Sequence, residues 1–178
     1  AVKAALTAAV EKDIRKIQAY YGLSAIFEKE GACAPAAEYY GQAMALENSV
    51  RHEPYRYLKL AGFYLNCGER HKAYSALADS LKNSRTPLKT IQNICTLFHR
   101  QSLYDQFIEF AGTIERRQML SPDLEICLAR TRIKMDQPDA ARQILDGLNS
   151  RQPSHEAFYM LAMMAQKSYD VLITDLKM

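Results

Sequence analysis

An internal period of 34 residues constrains this chain more than any other feature of its sequence. The segment from Pro54 to Pro87 shows it best. Tyr57, Leu60, Ala61 and Tyr64 have the i, i+3, i+4, i+7 spacing of one helical face. A break follows at Asn66-Cys67-Gly68, and a second face reads Ala73, Leu77 and Ser80. One period on, Ile91, Ile94, Cys95 and Phe98 replace the first set, and Phe107, Ala111 and Ile114 the second. After another period come Leu128 and Ala129, then Ala141, Leu145 and Leu148, with Pro153 closing the unit. Upstream, with three extra residues around Asn48 to Glu53, Tyr20, Leu23, Ser24 and Phe27 precede Gly31, then Ala36, Tyr40 and Ala43. Each unit therefore reads as helix, turn, helix. One hairpin cannot bury its own apolar face, so neighbouring units must supply the core. Pro54, Pro87, Pro122 and Pro153 stand at unit borders, and Ser121-Pro122-Asp123 and Arg85-Thr86-Pro87 read as helix starts.

The pattern resembles the tetratricopeptide repeat family. That family places a large residue at position 4, Leu-Gly or Leu-Ala at 7 and 8, an aromatic at 11, and Ala at 20 and 27. Ala36-Ala37-Glu38-Tyr39-Tyr40-Gly41-Gln42-Ala43 is the best local match. The resemblance implies an all-α chain, a right-handed α-solenoid of helical hairpins, with repeats at 17–50, 54–87, 88–121 and 122–155. Residues 1–16 read as a leading helix, and 156–178 as a partial fifth repeat or capping helices. The third repeat departs from the pattern at Phe107, where a small residue is expected. The fourth has Glu125 and Arg132 at the two aromatic positions.

Composition excludes several classes. Of 178 residues, 48% are hydrophobic and 24% charged, which is globular rather than disordered. The net charge of +3 comes without a lysine or arginine run, so nucleic acid is not the expected partner. No apolar stretch approaches the ~18 residues of a membrane span. The chain begins at Ala1 and reads as an excised domain or processed product. Cys33, Cys67, Cys95 and Cys127 are dispersed, as are His52, His71, His99 and His155, so no zinc-type ligand pair exists. Free cysteines in a reducing, cytoplasmic compartment are the expectation, with a disulfide in an exported protein as the alternative.

No catalytic constellation is present. There is no phosphate loop, G-x-S-x-G, H-E-x-x-H or kinase signature. Asp136 and Asp139 suit turns and caps, and His99 has no nucleophile or orienting acid placed beside it by sequence. No enzyme, cofactor or metal is expected. Of eleven tyrosines, Tyr20, Tyr40, Tyr57 and Tyr64 fall on packing positions, while Tyr21 and Tyr55 fall on the other helix face.

In the family, the first helix of each unit lines a concave groove that binds an extended peptide or a helix. The positions carried over are Tyr55, Lys59, Gly62 and Asn66 in the second unit. The third contributes Lys89, Gln92, Asn93, Thr96, His99 and Arg100, and the fourth Arg130, Ile133 and Lys134. The set is polar and basic. It suits an acidic peptide or helix as partner, or else is a solvated helix face. A carboxylate clamp known in the family needs Lys and Asn where Tyr21 and Ala25 stand, so chaperone-type C-terminal peptides are not expected. The function implied is a protein–protein adaptor or scaffold. Met160, Met163 and Met164 could support self-association through the repeat ends, or could be core.

The final segment, Ser168 to Met178, is similar to the third strand of a response-regulator receiver, with Asp175 as the phosphoacceptor. That likeness implies a regulatory or output domain in two-component signalling as the alternative function. Tyr169, Leu172, Ile173 and Leu176 also have helical spacing, so a capping helix competes with the strand.

Overall fold

The computed structural model describes residues 1–13, 16–47, 53–116 and 121–175. Among them are ten helices and no strand: α1 (Val2–Lys12), α2 (Ile17–Lys29), α3 (Cys33–Leu46), α4 (Pro54–Asn66), α5 (Arg70–Lys82), α6 (Pro87–Arg100), α7 (Tyr104–Arg116), α8 (Pro122–Lys134), α9 (Pro138–Arg151) and α10 (His155–Asp175). The expected insert around Asn48 to Glu53 lies outside the described residues apart from Glu53. The chain divides into two compact units, Ala1–Ile94 and Cys95–Met178.

Four hairpin turns repeat one backbone motif. Gly31, Gly68, Ser102 and Asp136 each adopt positive φ, at 72°, 75°, 53° and 57°. The next residue's N–H returns to the carbonyl five residues earlier: Ala32 to Phe27, Glu69 to Tyr64, Leu103 to Phe98 and Gln137 to Arg132, each 2.9 Å. The positive-φ residue itself donates three residues back, as Gly68 does to Leu65 at 3.0 Å. This pair of bonds is the Schellman arrangement, which satisfies the orphan carbonyls of the first helix and reverses the chain. Helix starts are set by side chains and proline. Ser121 accepts from the Leu124 N–H at 3.3 Å with Pro122 at the first helical position. Ser154 accepts from Ala157 at 3.4 Å and starts α10.

In Ala1–Ile94, α2 packs on α3, α3 on α4 and α4 on α5. The core is aromatic. Tyr40 sits edge-on to Tyr21 at 5.1 Å and to Phe63 at 5.6 Å, and Phe27 stacks on Tyr39 at 5.5 Å. Fully buried alanines, Ala36, Ala43, Ala61 and Ala73, let the helix backbones close around these rings. Tyr57 and Tyr64 are half-buried against the same cluster. Helix α1 packs on α2 where Gly22 leaves room. A Cβ there would stand 2.9 Å from Leu6 Cδ1. Cys33 and Cys67 form a disulfide, with Cα atoms 5.6 Å apart. The free-cysteine expectation therefore fails for this pair. The physical reason is that adjacent hairpins bring their turns together, and both cysteines sit at turns.

In Cys95–Met178, α8 packs on α9, α9 on α10 and α7 on α8. Ala129, Ala141 and Ala157 are fully buried among Ile126, Leu145, Leu148 and Met160. Phe107 is also fully buried, 5.4 Å from the Phe98 ring, and Phe110 is 6.0 Å from it. A three-ring cluster thus occupies the place where the repeat pattern asks for a small residue. Glu125, at an aromatic position, is buried and accepts from Arg151 Nη2 at 2.6 Å. Arg132 bonds Gln137 at 2.7 Å. The tail continues α10 as helix through Asp175, so Val171 to Ile173 do not form the strand that the receiver likeness requires. The Asp175 side chain and residues 176–178 lie outside what is described.

Candidate functional site

The unit Cys95–Met178 carries an open apolar groove of about 710 Å³ between α8 and α10. Ile133 forms one wall. Tyr159, Met163 and Gln166 form the other, at the i, i+4, i+7 spacing of one α10 face, over a floor of Met160 and Met164. Tyr159 is 65% exposed, Met163 54% and Ile133 37%. The three methionines divide: Met160 is buried in the core, Met164 is half-buried, and Met163 faces solvent. Arg130 and Glu156 pair across the mouth of the groove.

Beside the groove the field is positive. Arg130 and Lys134 are exposed one helical turn apart on α8. Burial holds the His99 imidazole below its ordinary value, and Lys134 and Arg130 push it further the same way. His99 Nε2 lies 2.8 Å from Thr131 Oγ1, whose hydroxyl donates to the Cys127 carbonyl at 2.9 Å. With its proton so engaged, Thr131 accepts, and His99 carries its proton on Nε2. Arg100 and Thr96 are exposed on α6.

In Ala1–Ile94 the residues carried over from the repeat pattern are more scattered. Tyr55 is 54% exposed. Lys59 Nζ pairs with Glu28 at 3.1 Å and lies over the Phe63 and Tyr40 rings, at 5.5 and 5.7 Å. Asn66 lines a separate cavity of about 350 Å³ with Glu28, Gly31, Cys33 and Phe63. Lys89, Gln92 and Asn93 are exposed on α6. Tyr21, placed by its spacing on an outer face, is half-buried. Arg56 donates to its hydroxyl at 2.7 Å, and that hydroxyl donates to Glu47 at 3.1 Å. Arg56 also pairs with Glu47.

No protein-family model matches the sequence, and no curated protein matches it. Solved structures do match. A crystal structure of MamA superposes with TM-score 0.51 at 13% identity, over 84% of this chain and 80% of that one. A second MamA crystal structure gives 0.50 at 13%, over 92% and 89%. The C-terminal part of a TPR repeat-containing protein from Cytophaga hutchinsonii gives 0.50 at 10%, over 85% of this chain and 58% of that one. These likenesses, the repeated hairpin turn and the all-helical architecture agree. The chain has the tetratricopeptide-repeat fold.

In this tetratricopeptide-repeat chain the basic set read from the sequence is less bare than its residue types suggest. Lys59 and Arg130 each have a carboxylate partner on another helix, Glu28 and Glu156. The groove itself rests on Tyr159, Met163 and Ile133. The helical spacing of Tyr159 and Met163 is visible in the sequence. Their exposure is not, because it depends on which face of α10 meets α9. Among the described residues no three His, Cys, Asp or Glu side chains group to hold a metal. Among the same residues no helix is long and apolar enough to cross a membrane.

Proposed function

We propose that this chain is a non-enzymatic interaction module, and that the α8/α10 groove takes an amphipathic helix with one acidic flank from another protein. The observation that carries this reading is the row of exposed apolar side chains, Ile133, Tyr159 and Met163, over a methionine floor. Covering such a surface is favourable by ~25 cal/mol per Å² of apolar area removed from water. Methionine adapts its shape to an incoming ridge, and a groove between two helices accepts a third. Charge favours an acidic flank. Burial is the main cause that holds nearby His99 toward its neutral form, and Lys134 and Arg130 act in the same direction, the sense of field an acidic side chain would meet. Arg100 fits the same preference, as an exposed cation of α6.

The Cys33–Cys67 disulfide bears on the compartment. Disulfides persist where the surroundings are oxidising, so this bond favours the exported alternative over the cytoplasmic one. The two-component reading has no support from the helical tail.

The test is selection from a displayed library of helical peptides against wild type, with counter-selection on Met163→Glu. Enriched peptides should be amphipathic and acid-flanked. They should bind Met163→Glu ~30-fold more weakly, the cost of one hot-spot contact of ~2 kcal/mol. Peptides that bind both proteins equally would exclude the groove. Peptides without acidic bias, or with binding unchanged in Arg100→Glu/Arg130→Glu, would exclude the charge preference. Circular dichroism establishes that each variant is folded.

A further inference from the structure

The second unit holds two thiols that the interaction reading leaves unused. Cys95 on α6 and Cys127 on α8 are both free and buried, 6% and 4% exposed. Each thiol perturbs the ionisation of the other. One turn further along the same two helices, His99 and Thr131 are bonded at 2.8 Å. Cys95 and Cys127 stand four residues before His99 and Thr131 on the same two helices, so the helix–helix seam marked by the 2.8 Å bond sets the two cysteines opposite each other. The two thiols have different surroundings. Interaction with Cys127 holds the Cys95 thiol below its ordinary value against the opposing effect of burial, and the Arg130 and Lys134 cations add to the lowering. The Cys127 thiol is held above its ordinary value by interaction with Cys95 and by burial. The His99 ring nitrogens lie 3.7 and 3.9 Å from Cys95 Sγ. The Glu156 carboxylate adds to the raising of the Cys127 value.

We propose that Cys95 and Cys127 form an oxidisable dithiol that closes to a disulfide between α6 and α8 when the chain meets a hydroperoxide. Cys95 is the attacking sulfur and Cys127 the resolving one. The Cys95 thiolate attacks the peroxide: an S–O bond forms, the O–O bond breaks, and the released oxygen leaves as alcohol or water after taking a proton. Cys127 then gives up its proton and attacks the Cys95 sulfur. An S–S bond forms, the S–O bond breaks, and water leaves. In sum, two thiols and one hydroperoxide give one disulfide, one alcohol (water from hydrogen peroxide) and one water. The product would join α6 to α8 beside the groove wall at Arg130 and Ile133, as Cys33–Cys67 already joins two turns of the first unit.

The experiment uses the full chain with Cys33–Cys67 intact and hydrogen peroxide as the probe. After treatment, free thiols are blocked and tryptic peptides are read by mass spectrometry. The expected product is the peptide Thr90–Arg100 linked to the peptide Gln118–Arg130 within one chain. Cys127→Ser should stop at a sulfenic acid on Cys95, trapped by a dimedone reagent. Cys95→Ser should leave Cys127 reduced. With iodoacetamide at neutral pH, Cys95 should react faster than Cys127, because its thiol is held below and that of Cys127 above the ordinary value. The proposal fails if both cysteines of the folded chain stay blockable after peroxide, or if the sulfenic acid forms on Cys127. It also fails if the only new disulfides join two chains. The wild-type cross-link decides the pairing even if a serine variant does not fold.

Discussion

The hairpin turns of the first unit and those of the second share a backbone and differ in residue. Gly31 and Gly68 adopt the left-handed conformation without a Cβ, whereas Ser102 and Asp136 adopt it with one. The hydrogen bonds do not distinguish them: all four turns close with the same 2.9 Å bond. The repeat is thus enforced by backbone geometry and by packing of the flanking helices, and the turn residue only sets how much strain accompanies it. The cysteines divide the same way. The first unit's pair is joined at two turns, and the second unit's pair is unjoined on two helix faces.

The largest effect that would break this comparison is loss of the Cys33–Cys67 bond. Its cysteines are 34 residues apart. Closing a loop of that length in the unfolded chain is worth roughly 3–4 kcal/mol. Replacing both cysteines by serine should lower the melting temperature of the first unit by several degrees. Hydrogen exchange should show the loss in α2 to α5 and leave α8 to α10 unchanged. An equal loss in both units would mean that they unfold as one body.

The next effect concerns the turns themselves. Neither Gly31 nor Gly68 has any heavy atom within 4 Å of an added Cβ. Gly68→Ala therefore isolates the cost of a side chain at φ 75°, which is about 1–2 kcal/mol. The reverse change, Ser102→Gly, should gain up to about 1 kcal/mol, since strain relief is partly offset by glycine's freedom in the unfolded chain. Asp136→Gly should gain less, because aspartate tolerates this conformation better than serine. Denaturant titration of the three variants orders them. A stabilising Gly68→Ala would overturn the turn argument.

The fold was legible because helical periodicity recurs every 34 residues, with prolines near the unit borders and glycines at the first two turns. The turns at Ser102 and Asp136 were less visible, since neither residue announces a left-handed conformation. The third repeat looked degenerate at Phe107. The structure places that ring against Phe98, so a large residue substitutes for close helix approach. Ion-pair partners were hidden for another reason. Glu28 and Glu156 sit on helices other than those of Lys59 and Arg130, and a face assigned from spacing does not say which side chain of the next helix reaches across. The cysteine pairing did leave a signal. Cys33 and Cys67 are one period apart, and Cys95 and Cys127 are 32 residues apart. In a stack of repeats, residues one period apart on successive hairpins are neighbours. Cys33 and Cys67, one period apart, therefore read as a pair, although no C-x-x-C exists.

The smallest effect sharpens the comparison within the second unit, at the His99–Thr131 seam. Burial is the main cause of the lowered His99 value, with Lys134 and Arg130 adding to it. Cys95, Thr131 and the Tyr104 ring also face it, the last edge-on at 5.5 Å. The unfolded chain takes up a proton at this histidine near pH 6.5, before the folded chain does. The folded state then binds fewer protons than the unfolded one, so stability rises with pH across that interval. The contribution is complete above about pH 6.5 and declines as pH falls below it. An NMR titration of the His99 ring should give a midpoint below 6.5 that moves upward in Lys134→Gln, and upward again with added salt, which screens Arg130. In His99→Gln, the second unit's hydrogen-exchange protection should lose part of its decline between pH 7 and 5. A His99 midpoint at or above 6.5 would mean that the imidazole is solvated and that the seam is looser than the 2.8 Å bond to Thr131 indicates.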